Sequence, residues 1–390
     1  MQQNLLLIID LMNAAHRMRH VHSELKNSRG RYTGVVFGFM AMMEKLLREF
    51  NPAAVIVANE SHPAGKIWRK EIYPAYKANR KKWLADESAE EGARRMEFLR
   101  QEVGEDLLGH VLPGLRIPTV SVLGCEADDV IGYLTERAAS KQIETLIVTT
   151  DMDMVQLVNS RAVRVFSPTT EKMYYTALGG TVIDSVGNTH AVSWQNYQLM
   201  RAVIGDTSDN IKGIPGIGKK RAADLFTVPM NLGELPSMYM ARCRTMHASG
   251  LVKKSAFWDR VETNFNILLR NLALMALRGP AVQYGRKKVE AGLHSDVMKS
   301  IWDNDVLPCV SANDGSTVGQ LVRSSLSADP SPFLNYFRRL EFDWAMSVNN
   351  ARRVLGRYQQ LADSSADLLC KMFAQEVCAG RVLTIQKGYA

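Results

Sequence analysis

Leu5-Leu6-Leu7-Ile8-Ile9 runs without a break into Asp10, and the pattern returns: Pro118 to Leu123 is followed by Glu126, and Leu146 to Thr150 ends at Asp151. Such short apolar runs, bounded by polar residues, read as strands buried on both faces. Between them lie longer stretches at helical spacing, such as Met96, Leu99, Val103 and Leu107. Alternation of the two predicts an α/β fold with a parallel-stranded central sheet flanked by helices. In such sheets ligands bind beyond the carboxyl ends of the strands, which is where these acidic residues fall.

Downstream, Asp206 to Lys220 breaks the alternation with a dense turn, Gly213-Ile214-Pro215-Gly216-Ile217-Gly218, between plausible helices. A helical subdomain is expected there. Trp258 to Met275 resumes a helical apolar pattern, Ser311 to Pro332 has the composition of a surface loop, and the tail beyond Pro332 reads as helical again. Phe333, Tyr336, Phe337, Phe342 and Trp344 are expected to pack as a helical core there.

Composition narrows the class. A chain of 390 residues with 46% hydrophobic content can bury a large core in two or three units without disulfides. Its five cysteines are scattered and show no metal spacing, as expected of a protein in a reducing cytoplasm. Leu5–Ile9 is too short for a membrane span, so no anchor is expected. The net charge of +8 suits a polyanionic partner, and its distribution says more. Seven basic residues and one acidic residue fall between Lys66 and Lys82, interleaved with Trp68, Tyr73 and Tyr76. Lys66, Arg69, Lys70, Tyr76, Lys81 and Lys82 are therefore candidates for a surface that tracks phosphates and stacks bases.

Four acidic clusters carry the chemistry: Asp10; Glu126, Asp128 and Asp129; Asp151 and Asp153; Asp206 and Asp209. An acidic residue at a helix start is usually only a cap. Four clusters at one sheet edge are another matter, because they repel one another unless cations sit among them. All-oxygen ligands without His or Cys suit Mg²⁺ or Mn²⁺ rather than zinc. Two such ions roughly 4 Å apart can activate a water and stabilise a leaving oxygen in phosphodiester hydrolysis.

Five segments, in order, resemble the 5′-nuclease family, which includes flap endonucleases, bacteriophage 5′-exonucleases and the nuclease domain of bacterial DNA polymerase I. They are Leu7-Ile8-Ile9-Asp10-Leu11-Met12-Asn13 with His16-Arg17; Trp68-Arg69 through Tyr73-Pro74-Ala75-Tyr76-Lys77-Ala78-Asn79-Arg80; Gly124-Cys125-Glu126-Ala127-Asp128-Asp129; Thr150-Asp151-Met152-Asp153; and Gly205-Asp206 through Gly218. The resemblance implies a PIN-like α/β nuclease core over residues 1–195, with a helical arch at about 68–108, a helix-hairpin-helix (H3TH) subdomain at 196–280, and a helical C-terminal region at 281–390. It implies two Mg²⁺ ions, with Mn²⁺ able to substitute: Asp10, Glu126, Asp128 and Asp129 would hold the first, and Asp151, Asp153, Asp206 and Asp209 the second. Lys77 and Arg80 would be catalytic cations beside Asp10 and Asp151, at the base of an arch that admits a single strand. Where the family has an Asp after the second strand, this chain has Asn59 then Glu60, and either residue is a candidate replacement.

Gly213 to Lys219 also fits GxxxxGK, but Lys220 stands where a Mg²⁺-holding hydroxyl belongs and Pro215 has no amide for a phosphate cradle. A hairpin turn fits better, with Gly213, Gly216 and Gly218 letting the backbone approach a DNA phosphate and Lys219 and Lys220 adding attraction. By resemblance the turn would hold K⁺ through carbonyls. The expected activity is a 5′-3′ exonuclease and flap endonuclease acting on branched or nicked DNA and RNA:DNA hybrid in primer removal. Its partners would be a separate polymerase and single-strand-binding protein, in the cytoplasm or, for a phage-encoded chain, the host cytoplasm. The competing expectation is a DNA-binding or scaffolding protein that keeps the fold without catalysis.

Overall fold

The computed structural model describes residues 4–60, 67–80, 87–115, 117–121, 125–277 and seven helical positions between 358 and 372. Strand β1 (Leu5–Asp10) is buried along its whole length and splits its side chains between two cores. Leu5, Leu7 and Ile9 face α1 (Leu11–Val21) and α2 (Gly34–Phe50), while Leu6 and Ile8 face α5 (Ala127–Ser140). Successive residues of a strand point to opposite faces, so a run apolar at every position demands cover on both sides.

The sheet has the order β3-β2-β1-β4-β5-β6-β7-β8. Strands β2 (Ala54–Ala58) and β4 (Glu144–Val148) flank β1 in parallel, with Asp10 level with Ala58 and Ile9 level with Val148. The chain runs outward to β3 (Thr119–Val120) and returns to the other side of β1 at β4, so the β1/β4 gap is the switch point where ligands of such sheets bind.

An all-parallel sheet was the expectation, and the second half departs from it. Strands β5 (Val163–Ser167), β6 (Lys172–Thr176), β7 (Val182–Asp184) and β8 (Thr189–Ala191) pair antiparallel after β5 joins β4 in parallel. Their connections are too short for a helical crossover, and Glu171, Gly179, Gly180 and Gly187 take the positive φ that tight hairpins need.

The expected apolar stripe of Met96, Leu99, Val103 and Leu107 holds only in its second half. Helix α4 (Ala89–Glu97) continues as a wider helix over Phe98–Val111 that closes on i→i−5 bonds at its end, and Met96 and Leu99 face solvent. Phe98, Glu102, Leu107 and Val111 are buried instead, at spacings of four, five and four that suit the wider turn. Glu102 is paired with Arg94 there, and Asp106 with Arg31.

Helix α6 (Trp194–Ile204) gives Trp194 and Tyr197 to the sheet core and Leu199, Ala202 and Val203 to a separate helical core. That second core gathers Ile214, Ile217, Phe226, Tyr239 and Trp258 from the turn, α7 (Lys219–Leu225), α8 (Pro236–Ala248) and α9 (Trp258–Thr263). Helix α10 (Phe265–Met275) closes it and leads the chain back to the sheet. Near the C-terminus, Tyr358 and Leu361 join the first sheet core, and Ser365 Oγ accepts from the Val55 amide at 2.8 Å, where β2 extends beyond short β3. The aromatic cluster expected from Phe333 to Trp344 lies outside the described residues. None of the described helices is long and apolar enough to cross a membrane.

A ribbon of β9 (Gly205–Asp206) and β10 (Ile211–Lys212) leads into the glycine turn. Gly205 has φ +74°, and a Cβ there would sit 2.4 Å from both the Gly213 nitrogen and the Ile211 carbonyl. Gly179 has a similar φ but open space around it. Gly205→Ala should therefore cost at least about 3 kcal/mol in urea unfolding, and Gly179→Ala only about 1 kcal/mol, since only the first adds a backbone clash to the torsional strain.

Candidate metal and nucleic-acid site

Asp10 ends β1 and caps α1, accepting from the Asn13 amide at 3.1 Å and from Thr149 Oγ1 at 3.0 Å. The Thr149 hydroxyl in turn accepts from the Asp151 amide at 3.1 Å. Asn13 and Thr150 are joined by three contacts, Asn13 Nδ2 to the Thr150 hydroxyl at 2.8 Å and the Thr150 amide and hydroxyl to Asn13 Oδ1 at 2.9 and 3.0 Å, pinning the ends of β1 and β4 together. Sequence reasoning gave these three polar residues no role. Their signal was only adjacency to the acidic motifs, which does not reveal bonds across 137 residues.

The acidic residues fall into three environments. Asp10, Asp128 and Asp151 make no salt bridge among the described residues, and each is raised above the ordinary carboxylate range. Burial pushes Asp10 up to about 6, with Asp151 and Glu60 adding repulsion. Asp128 rises through burial, then through the charges of Asp151 and Asp10. Asp151 rises through burial and the charges of Asp206 and Asp209. Holding Asp10 ionised against a shift of this size costs about 3 kcal/mol.

In the second environment, Asp153 and Asp206 share Arg201, which ion-pairs with Asp153 and lies 3.3 Å from Asp206 Oδ2. Burial still pushes Asp153 up to about 6, whereas bonds from Ser208 help bring Asp206 below its usual value despite burial. Arg201 was missed in the sequence, because its position on α6 gave no hint that it faces two carboxylates from different loops.

The third environment corrects three expectations. Arg69 and Tyr76, expected on a phosphate-tracking surface, are each only 3% exposed. The Arg69 guanidinium forks onto Asp129 at 2.7 and 2.8 Å, reaches Glu126 Oε2 at 2.8 Å and donates through Nε to the Leu274 carbonyl at 2.8 Å. The Tyr76 hydroxyl lies 2.8 Å from Glu126 Oε2 and 2.9 Å from Asp209 Oδ2, and can donate to one at a time. Asp129, expected beside the first metal, also accepts from Trp68 Nε1 at 3.0 Å and the Glu126 amide at 3.1 Å. Burial alone would raise Asp129, but Arg69 and these donors hold it below the usual range. With both oxygens taken by the fork, Asp129 is the counter-ion of Arg69 in the free protein.

Lys77 and Arg80 do reach the site. Lys77 has the left-handed φ of +55°, donates its amide to the Asp209 carbonyl at 2.9 Å, and ion-pairs with Glu126. Arg80 meets Asp209 at 3.1 Å with half of its side chain in solvent. Lys70 is half-buried on α3 (Trp68–Ile72), and Lys66, Lys81 and Lys82 lie outside the described residues. At the end of β2, Asn59 is buried with its amide on the Val120 carbonyl, while the charge of Glu60 is felt by both Asp10 and His16.

At the turn, Gly216, Gly218, Lys219 and Lys220 are exposed, but Gly213 is packed inward, where a Cβ would meet the Ile204 carbonyl at 2.0 Å. Gly213 thus serves backbone packing rather than phosphate approach. The K⁺ expectation does not fit either. Arg260 donates to the Pro215 carbonyl at 3.2 Å and Arg221 to the Gly216 carbonyl at 2.5 Å, while Arg270 and Asn271 hold the Lys212 carbonyl at 3.0 Å each. Guanidinium groups already supply the positive charge at these oxygens.

A hard divalent cation fits by charge and donor chemistry: three crowded carboxylates without a salt bridge, oxygen donors only, at the switch point of the sheet. Among the described residues no group of three His, Cys, Asp or Glu side chains is placed to hold a metal ion. The site is a mutually repelling set whose neighbours, Lys77 and Arg201, neutralise part of the charge.

This geometry defines a class: an α/β protein with an acidic site at the sheet edge, lysine and arginine from one flanking segment facing it, and a helical hairpin unit beside it. Residues 5–184 match the profile described as 5′-3′ exonuclease, N-terminal resolvase-like domain. Over that stretch, just under half of its length, the chain is similar to the 5′-3′ exonuclease family. It is 33% identical over 227 residues to the thermostable DNA polymerase I of Thermus aquaticus, covering 56% of this chain and 23% of that one. A 5′-3′ exonuclease of Buchnera aphidicola is 24% identical over 288 residues, covering 69% of this chain and 86% of the relative. The chain spans about a quarter or less of the length of the polymerases it matches. A bacteriophage T5 flap endonuclease, solved as a pseudo-enzyme-product complex with DNA and metal ions, shares the fold at TM-score 0.55 and 21% identity, covering 77% of this chain and 97% of the other.

A stability test follows from the raised carboxyls. The folded state binds more protons than the unfolded one between about pH 4 and pH 6, so metal-free stability from Asp10 and Asp153 is lost as pH rises through that window. Mn²⁺ should raise Tm by several degrees at pH 8 and much less at pH 5 in a thermal scan. Asp10→Asn, which keeps the cap oxygen, should raise the metal-free Tm at pH 8 and remove most of the Mn²⁺ effect. A Mn²⁺ shift equal at both pH values would contradict the assignment.

Proposed function

We propose that this protein is a divalent-metal-dependent 5′-3′ exonuclease and flap endonuclease that hydrolyses phosphodiesters at the junction of single strand and duplex, in DNA and in RNA:DNA hybrid. The observation that carries the reading is the trio Asp10, Asp128 and Asp151, crowded at the β1/β4 switch point without a salt bridge and bordered by Lys77 and Arg80. The match of residues 5–184 to the 5′-3′ exonuclease domain and the fold shared with the metal- and DNA-bound T5 enzyme support it.

Asp10, Asp128 and Asp151, joined by Glu126 and by Asp153, Asp206 and Asp209, would hold two Mg²⁺ ions. Bound there, the ions supply an activated water and charge stabilisation for the departing oxygen. Glu60, whose charge already bears on Asp10, is the better replacement for the family's Asp than neutral Asn59. The chain's own cations do the rest. Lys77 and Arg80 pair with Glu126 and Asp209 in the free protein, and a scissile phosphate would compete for both, setting them against the negative charge that builds on its oxygens. Gly216, Gly218, Lys219 and Lys220, exposed at the mouth of the hairpin, would hold the duplex by backbone amides and charge.

The division at about residue 195 separates a sheet-centred nuclease unit from the duplex-gripping unit, with α6 as the shared wall. Tyr358, Leu361, Leu368 and Met372 pack on the sheet cores of the first of these.

The deciding experiment incubates the protein with an end-labelled 5′-flap duplex in Mg²⁺ or EDTA. Cleavage at the junction should require Mg²⁺, fall at least about 10³-fold in Asp151→Asn, and fall about 10²-fold in Lys77→Ala with substrate binding retained. Tight binding with no cutting in any metal would instead make this a DNA-binding protein that keeps the fold without catalysis.

A further inference from the structure

Arg69 is buried and makes four side-chain hydrogen bonds, and none of the roles proposed above uses it. It stands on α3, a short helix between residues 60 and 80, yet its guanidinium reaches two other parts of the chain. Two parallel bonds take both oxygens of Asp129 and a third takes Glu126 Oε2, at the start of α5. On its other edge Nε donates to the carbonyl of Leu274, in the last turn of α10. Trp68 closes over it, with the guanidinium carbon 4.5 Å from the ring centre and the indole N–H on Asp129.

About one turn before Leu274, helix α10 is tied to the hairpin. Asn271 donates to the carbonyls of Ala202 at 2.7 Å and Lys212 at 3.0 Å, and Arg270 donates to Lys212 at 3.0 Å while lying over the Tyr73 ring at 4.9 Å. Lys212 immediately precedes the glycine turn. An unbroken chain of hydrogen bonds and one helix therefore runs from the turn, through Asn271 and Leu274, to Arg69 and on to Glu126.

We infer that Arg69 is a positioning residue that couples the hairpin subdomain to the acidic site: duplex gripped at the turn shifts α10, and Arg69 carries that shift to Glu126. The inference rests on the nuclease reading above. A lysine could not replace it, because a compact ammonium cannot fork onto Asp129 and hold the Leu274 carbonyl together. Glu126 has one oxygen fixed by Arg69 and Tyr76 and the other paired with Lys77, so its orientation depends on the Arg69 side.

Coupling of this kind is reciprocal: duplex must tighten metal binding by the same factor that metal tightens duplex binding. The test uses the full chain and a dumbbell duplex closed at both ends, which offers no free 5′ end to cut. Mn²⁺ affinity is measured by electron paramagnetic resonance with and without the dumbbell, and dumbbell affinity by anisotropy in EDTA and in Mn²⁺. Wild type should bind Mn²⁺ about 5-fold or more tightly when the dumbbell is present, the usual scale of linked sites. Arg69→Lys should lose that factor while keeping its dumbbell affinity in EDTA. Arg270→Ala, which touches no carboxylate and is only half-buried, should cut the factor at least in half, and it serves as the test if Arg69→Lys does not fold. Equal coupling in wild type and both variants, or no coupling in wild type, overturns the inference and leaves the nuclease reading standing. No dumbbell binding by wild type under any condition overturns both.

Discussion

Like charges crowded at the carboxyl ends of β1 and β4 are the constraint around which this protein is arranged. Asp10, Asp128 and Asp151 each sit where burial disfavours ionisation and where at least one other carboxylate adds repulsion. A sheet edge would escape that cost by local opening unless its backbone were held firmly. Here it is held on both sides. β1 is buried between two apolar cores, and the Asn13–Thr150 pair and the Thr149 hydroxyl lock the two strand ends together. The hydrophobic effect thus stabilises a local arrangement that electrostatics alone would disperse.

Around this uncompensated centre stands a ring of cations with graded commitment. Arg69 is fully buried and doubly forked, Arg201 is shared between two loops, Lys77 is half-buried, and Arg80 is half in solvent. The gradient runs outward from structure toward substrate. A buried guanidinium pays heavily to leave its partner, whereas an exposed one exchanges carboxylate for phosphate with little change in solvation. Under the proposed activity, the two cations placed to make that exchange are Lys77 and Arg80.

Much of this was legible from the chain. Uninterrupted apolar runs ending in acids fixed the strands and their carboxyl ends, because the two-residue period leaves a fully apolar strand no solvent face. The glycine and proline turn located the helical unit for a similarly local reason. What the sequence hid was non-local. Basic composition between Lys66 and Lys82 could not separate Arg69, turned inward to Asp129, from Arg80, turned outward, since both lie in one short polar stretch. Arg201 and Thr149 each have a partner far along the chain, Asp153 and Asp10, about 50 and 139 residues away. The wider helix over Phe98–Val111 escaped because a 3.6-residue period was assumed where the buried positions follow a longer one. The antiparallel half of the sheet was missed because its signal lies in turn glycines between short strands, not in apolar runs.

The Arg69–Asp129 pair deserves a last step of reasoning on energetic grounds. Removing two charges from water costs several kcal/mol each, and apolar groups of similar volume often serve stability as well or better. At 3% and 8% exposure, this pair offers little that Leu and Met would not. An apolar replacement, however, has no direction. It could not fix the carboxylate of Glu126 through one guanidinium nitrogen while the opposite edge grips a carbonyl of α10. Directionality, rather than stability, is what a buried guanidinium supplies here, and it lies where the sheet and the helical hairpin must keep their geometry together.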